Sequence, residues 1–190
     1  VFAVNDGESL DRARASSLLR KETTEFVEGP TQITLMNHQF SEPLQLVFID
    51  GPHGFPFPNL EYWKLYPHLE PGGLLAVHVS NRRLNLTPLV AKAGEATGFA
   101  VAAIASSQVP PYLSAQSLWV FLCRDRDRLQ ALIQAMEARR AELGVAAGAL
   151  RFGVVPPEEL ARTPLWTDDY SDLFAAMESI ESLFDAQPTR

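Results

Sequence analysis

The chain has 190 residues and a formal net charge of −7, from 16 Lys and Arg against 23 Asp and Glu. That balance argues against a nucleic-acid surface, which needs clustered basic residues, and disfavours attachment to anionic membranes by charge alone. With 46% hydrophobic residues the chain has ample material for a core, and its length fits one domain with a small extension.

Residues 1–4 read as a buried strand closed by Asn5-Asp6-Gly7, and residues 9–21 as a helix with Leu10, Ala13, Ser17 and Leu18 near one face. Glu28-Gly29-Pro30 marks a turn. Residues 32–36 read as a strand, after which Asn37 and His38 follow. The segment 44–80 is the centre of the chain. Two uninterrupted apolar runs, at 46–49 and 74–77, fit strands buried on both faces. Between them residues 59–66 fit a helix, with Asn59 as its cap and Leu60 and Trp63 on one face. Pro67 and the Pro71-Gly72-Gly73 turn end it. The result is one βαβ unit, which predicts that strands 44–49 and 74–79 are parallel neighbours joined by a right-handed crossover.

Further along, Thr87 is placed to cap a helix with Pro88 at its first position and Leu89, Val90, Ala93 and Ala96 inward, before a stop at Gly98. Residues 99–105 and 118–123 are strands with no helix between them, so they pair antiparallel. Residues 125–143 form an amphipathic helix with Leu129, Leu132, Ile133, Met136, Arg140 and Leu143 in one stripe and Gly144 as its stop. Residues 145–157 read as loop or weak strand, and 158–162 as a short helical turn. A last helix carries Leu173, Met177, Ile180 and Phe184 on one face. This divides the chain into an α/β part at 1–124 and a helical extension at 125–190 packed on it.

Cys123 is the sole cysteine, so neither an intramolecular disulfide nor a zinc-thiolate cluster is available, and a reducing compartment is the natural reading. No apolar run approaches the roughly 20 residues that span a bilayer, and no signal-peptide pattern is present. The opening at Val1, directly on a strand, suggests that the natural protein continues upstream.

The order of elements resembles the class I methyltransferase fold from its second strand onward, over residues 1–123. The resemblance implies a Rossmann-like α/β architecture: a mostly parallel sheet with helices on both faces and a C-terminal antiparallel hairpin. Two local matches sharpen it. IDGPHGFPFPNLEYWKLYPHLEPGGLL is similar to the segment after the fourth strand in small-molecule methyltransferases of the Ile-Asp-Gly-x-His type. LLAVHVSNRRLNLTPLV, together with LWTDDYSDL near the end, resembles the spermidine-synthase-like (aminopropyltransferase-like) family. The resemblance implies S-adenosylmethionine or decarboxylated S-adenosylmethionine as cofactor, and a small-molecule amine or hydroxyl acceptor. The family's first strand and glycine-rich loop have no counterpart, for no Gly-x-Gly follows any strand. The expectation is therefore an inactive chain, in which strand 1–4 either pairs directly with 46–49 or leaves the sheet open.

Asp50 and His53 stand three positions apart in the loop leaving the carboxyl end of a strand, the side on which such sheets bind ligands. An acid and an imidazole there suit general-base work, since an unperturbed imidazole titrates at about 6.5. The resemblance places Asp6 at the cofactor ribose, Asn37 and His38 near the adenine, and Asp50 in both cofactor binding and proton acceptance. Ser80 and Asn81 follow the next strand and line the same crevice, with Arg82 there or on the surface. Asp168, Asp169 and Tyr170 read either as a helix cap or as a subsite for a cationic amine. Phe55, Phe57, Tyr62 and Trp63 wall a pocket or fill the core. His78 reads as a buried, hydrogen-bonded histidine within a strand. A metal site is disfavoured, because one carboxylate and one imidazole are a thin ligand set. Three functions stay open: a spermidine-synthase-like transferase, an O- or N-methyltransferase with His53 as base, and a catalytically dead structural or regulatory module. The expected setting is cytoplasmic, including the cytosolic part of a larger membrane protein, and a homodimer is compatible.

Overall fold

The computed structural model describes residues 2–5, 15, 25–51, 57–80, 84–106 and 117–167. In chain order the elements are β1 (Phe2–Asn5), β2 (Glu25–Glu28), α1 (Thr31–Asn37), β3 (Leu44–Ile49), α2 (Phe57–Leu65), a 3-10 turn (Tyr66–His68) and β4 (Leu69–His78). There follow α3 (Thr87–Ala96), β5 (Ala100–Ser106), β6 (Ser117–Cys123), α4 (Arg126–Glu142), a 3-10 turn (Ala147–Ala149), β7 (Leu150–Gly153) and α5 (Pro157–Arg162). The strands form two ladders, a parallel β1–β2 pair and a five-stranded sheet in the order β3-β4-β6-β5-β7.

The β3–α2–β4 unit forms as its sequence requires. β3 and β4 pair parallel, with Leu46 opposite Leu74 and Ile49 opposite Val77, and α2 covers one face through Tyr62 and Leu65. Helix α2 starts at Phe57, so Asn59 lies inside its first turn rather than capping it. Pro71-Gly72-Gly73, expected as a turn, runs within β4. Leu44 pairs with Leu69 but Leu46 with Leu74, so β4 bulges there. Gly73 permits the bulge, because a side chain would bring a Cβ within 2.7 Å of the Leu44 carbonyl oxygen.

The expectation of a mostly parallel sheet needs correction. β6 inserts between β4 and β5 and pairs antiparallel with both, and β7 adds antiparallel to the outer edge of β5. β3, β4 and β5 still run in one direction; β6 and β7 oppose them. The hairpin read from residues 99–123 is therefore present, and its second strand docks on β4. The stretch 145–157 supplies an edge strand to the same sheet.

Strand parity assigns the two faces. Leu75, Val77, Val79, Val120 and Leu122 face α2 and α3, with Leu89, Ala93 and Phe99. Helix α3 sits very close, since a Cβ on Gly94 would lie 2.3 Å from Leu122 Cδ2. Ala76, Ala102, Ile104, Phe121 and Cys123 face α4, where Leu129 is buried and Leu132, Ile133 and Met136 pack beside it. Leu143, the last member of the expected stripe, is exposed. Asp125 caps α4 by accepting the Arg128 N–H at 3.0 Å. At α3 Thr87 is the first helical residue and not the cap; Leu86 holds the cap position, and Asn85 Oδ1 before it accepts the Thr87 N–H at 3.3 Å.

Among the described residues, β3 is covered on one face only. Val47 and Ile49 are buried, whereas Leu46 and Phe48 are 51% and 60% exposed. The apolar run predicted burial on both sides, but α4 packs chiefly on β5, β6 and β7.

Residues 32–36, expected as a strand, belong to helix α1. The Pro30 carbonyl accepts N–H groups of Ile33 and Thr34 and the Thr34 hydroxyl, and Leu35 is buried in the α2 core. Local capping and packing override the β preference of Ile33 and Thr34. The strand that pairs with β1 lies earlier, at β2, and ends at Gly29, whose φ is 132°. β1 is not hydrogen-bonded to β3; of the two expected arrangements, the structure has the open one. The helix expected at 9–21 lies outside the described residues except at Ala15, which is helical, and that expected after Asp169 lies wholly outside them. Among the described residues no helix is long and apolar enough to cross a membrane.

Candidate functional site

β3 and β4 end side by side, and their parity brings the next polar side chains together. Phe48 and Asp50 continue the exposed face of β3; Ala76 and His78 continue the matching face of β4. Asp50 Oδ1 lies 2.6 Å from His78 Nδ1, and the other ring nitrogen, Nε2, lies 2.8 Å from Ser80 Oγ. Ser80 Oγ also accepts the Leu118 N–H at 2.7 Å, while the Val79 N–H donates to the Leu118 carbonyl at 2.9 Å. The end of β4 is thereby pinned to β6. Trp119 on β6 stacks on the His78 ring, with centroids 4.7 Å apart and planes at 22°, and the Phe48 ring meets Trp119 edge-on at 6.0 Å. Asp50 is 58% exposed and His78 18% exposed in their side chains. A carboxylate facing solvent is thus held by an imidazole mostly enclosed behind it.

Against Gly51, the residue after Asp50, lies a second acid. Glu61 on α2 is buried, with 5% of its surface exposed. A Cβ on Gly51 would come within 3.1 Å of Glu61 Oε1 and 3.2 Å of Oε2, so the carboxyl lies directly against the turn that follows Asp50. Burial pushes its pKa above the usual 4.5, and a hydrogen bond from the Thr31 hydroxyl only partly offsets this. Oε1 has no hydrogen-bond partner among the described residues. A Cβ at position 51 would press on that carboxyl at less than ordinary contact distance.

The sequence-predicted residues distribute as follows. Asp50 and Ser80 come together, and His78 is the link between them. Asp6, His53, Asn81, Arg82, Asp168, Asp169 and Tyr170 lie outside the described residues. Asn37 and His38 do not follow a strand. Asn37 closes α1, donating from Nδ2 to the Ile33 carbonyl at 2.8 Å, and the His38 ring packs edge-on against Phe40 at 4.7 Å. The reason for placing them at an adenine, their position after a strand, does not hold. Tyr62 is core: its hydroxyl shares a 2.7 Å hydrogen bond with Thr97 Oγ1, and its ring stacks on Tyr66. Burial and the neighbouring Tyr66 push its pKa up to about 12, against the opposing hydrogen bond to Thr97 and the charge of Arg124. Trp63 donates its indole N–H to the Trp166 carbonyl at 3.2 Å. That bond brings the Leu165-Trp166-Thr167 stretch of the second sequence motif onto α2, and Trp166 is buried there.

His78 was legible as hydrogen-bonded but not as a site residue, because a position inside an apolar run signals core. Its partner spacing was the available clue: Asp50 and His78 each end a strand of one βαβ unit. Glu61 carried no signal beyond being an acid one position from Leu60 on the helix face read as buried.

No family model matches the chain, and no curated protein matches it in sequence. Among solved structures it is similar to a protein assigned as an O-methyltransferase from Klebsiella pneumoniae, at 14% identity and a TM-score of 0.46. It is similar also to precorrin-6y C5,15-methyltransferase from Geobacter metallireducens, at 12% identity and a TM-score of 0.43. A third is the O-methyltransferase TomG from Streptomyces achromogenes, solved in complex with SAM, at 12% and 0.43. Each alignment covers 64% of this chain, and it covers 60%, 67% and 60% of those chains respectively. Likeness at this level assigns neither chemistry nor substrate to the chain.

Proposed function

We propose that the chain is a transferase domain of the S-adenosylmethionine-dependent methyltransferase superfamily, acting on a small hydroxyl or amine acceptor. The observation that carries the reading is the convergence of Asp50, His78 and Ser80 at the carboxyl ends of a parallel strand pair, where doubly wound sheets bind their ligands. The order β3-β4-β6-β5, with β6 alone reversed, supports it, because the resembled fold closes its sheet with an antiparallel hairpin. A sulfonium nucleoside is cationic, and the Asp50 carboxylate with the Phe48 and Trp119 rings on the same sheet face suits a cation. When bound, the sulfonium supplies the electrophilic carbon and a thioether leaving group. Asp50 takes up the proton that the acceptor releases, and His78 holds that carboxylate in place. His53 is the second candidate base, by sequence position.

A narrower reading, aminopropyl transfer in the manner of the spermidine-synthase-like family, draws support from the second sequence motif and from the Trp63–Trp166 hydrogen bond that seats its beginning on α2. Both readings are tested by titrating the 190-residue chain with S-adenosylmethionine and, separately, its decarboxylated form, following amide shifts of residues 50, 78 and 80 by NMR. Weak binding is expected, since no glycine-rich loop offers backbone N–H groups after any strand. Preference for the decarboxylated form selects aminopropyl transfer. Absence of any shift at millimolar ligand refutes both and leaves a structural or regulatory module.

A further inference from the structure

The contact between His78 and Asp50 fixes more than a distance. A ring nitrogen and a carboxylate oxygen 2.6 Å apart need a proton between them, because two lone pairs repel at that range. His78 Nδ1 therefore carries hydrogen and donates to Asp50. On the other side of the ring, the Leu118 amide can only donate, so Ser80 Oγ is its acceptor. The Ser80 hydroxyl has one hydrogen of its own, and His78 Nε2 lies 2.8 Å away. A neutral imidazole has a single N–H. With that hydrogen on Nδ1, Nε2 is an acceptor and the Ser80 hydroxyl is its donor.

Three hydrogen bonds then run in one direction: Leu118 N–H to Ser80, Ser80 O–H to His78 Nε2, and His78 Nδ1–H to Asp50. Bonds aligned in this way polarise one another. Trp119, stacked on the ring, restrains its rotation. The chain of donors starts on β6, crosses the end of β4 and finishes on the residue after β3, so three neighbouring strands set the orientation of one carboxylate. The same connectivity can activate a serine nucleophile, but here the Ser80 oxygen is already tied to a backbone amide of the adjacent strand.

We propose that His78 is the positioning residue for Asp50, locked by Ser80 and Leu118 as the neutral Nδ1–H tautomer. This rests on the reading of Asp50 as the proton acceptor in a transfer reaction, but its structural half stands apart from any activity. The tautomer exists without ligand, and the less common of the two neutral forms is the one required.

The first test is a long-range proton–nitrogen correlation spectrum of the labelled 190-residue chain at pH 8, with His78→Asn used to assign the His78 signals. The expected spectrum shows a protonated Nδ1 and a bare Nε2. Asp50→Ala removes the acceptor and is expected to move the population towards the Nε2–H form. A protonated Nε2 in the wild type, whether as the other tautomer or as the imidazolium, overturns the proposal. So does a tautomer that ignores Asp50→Ala.

The second test compares His78→Asn with His78→Gln. The asparagine amide nitrogen falls close to where Nδ1 stood and keeps a donor for Asp50; the glutamine amide reaches instead towards Ser80. Both variants are checked for folding by circular dichroism. In a methyl-transfer assay with S-adenosylmethionine and a panel of phenols and amines, kcat of His78→Gln is expected to fall about tenfold below that of His78→Asn, which is a difference of one activation-energy decade. KM for S-adenosylmethionine is expected to be alike in both. Equal kcat values in the two variants overturn the positioning role. If neither variant nor the wild type transfers a methyl group, the transferase reading fails while the tautomer result still decides the structural half.

Discussion

Replacing Glu61 with glutamine is expected to stabilise the protein at neutral pH while leaving it unchanged in acid. Glu61 is buried under Gly51, with one carboxyl oxygen lacking a partner among the described residues and with Thr31 as its hydrogen-bond donor. Burial raises its pKa in the folded state above the unfolded value of about 4.5. The folded protein therefore holds this proton more tightly than the unfolded chain. That contribution to stability is complete below pH 4.5 and is lost as the pH climbs through the raised value. At pH 7 folding must either take up a proton at this carboxyl or bury its charge with an unsatisfied oxygen, and either costs on the order of 1–3 kcal/mol. Glutamine has nearly the same shape, keeps an acceptor for Thr31 and does not ionise. Glu61→Gln should then gain about 1–2 kcal/mol at pH 7, which for a chain of this size is about 2–8 °C in Tm. Thermal melts of both proteins at intervals from pH 4 to pH 8 measure the effect. The two curves should coincide near pH 4 and separate as the pH rises. A variant less stable than wild type at pH 7, or a gap that does not change with pH, would show that the ionised carboxylate is compensated and would refute the reasoning.

Gly51→Ala should destabilise the fold by about 1 kcal/mol, because its Cβ comes 3.1 and 3.2 Å from the Glu61 oxygens, and Glu61→Ala in the same chain should recover part of the loss in urea titrations. Gly94→Ala inserts a Cβ 2.3 Å from Leu122 Cδ2 and 2.9 Å from Val101 Cγ2, both on the sheet beneath α3. Overpacking of about 1–3 kcal/mol outweighs the gain of about 1 kcal/mol in helix propensity, so chemical denaturation should give a net loss; an unchanged midpoint would mean that α3 shifts freely. Tyr62→Phe should cost about 0.5–1.5 kcal/mol, the ordinary net worth of one hydrogen bond, and should remove from the ultraviolet pH titration the phenol that ionises at about 12. Phe48→Thr removes the edge-on contact with Trp119 and should cost about 0.5–1.5 kcal/mol in chemical denaturation, even though Phe48 is more than half exposed.

The parts of the fold that were legible share one property: their signals are local. The apolar runs at 46–49 and 74–77 and the short link between them admit little except a parallel βαβ unit, and that unit is present. The segment 125–143 announces a helix through its period and its Asp125 cap, and α4 matches it within a residue at each end. The hairpin of β5 and β6 follows from two strands with no helix between them. Where local signals misled, a distant contact had the final word. Residues 32–36 look like a strand in isolation, but Pro30 caps them and Leu35 is buried in the α2 core. Pro71-Gly72-Gly73 looks like a turn, yet it is a bulge that β4 needs to clear the Leu44 carbonyl.

The site divides in the same way. Sequence alone determined that Asp50 and Ser80 leave the carboxyl ends of neighbouring strands, because chain direction and a parallel pairing suffice for that. Only the tertiary structure decided that His78 joins them, that Trp119 holds the ring, and that Glu61 lies beneath Gly51. The first two depend on strand register and parity between distant segments, Asp50 with His78 across 28 residues and His78 with Trp119 on β6, and the third on how α2 packs against the turn after β3. A shift of one residue in that register would turn His78 to the opposite face, towards α2 and α3.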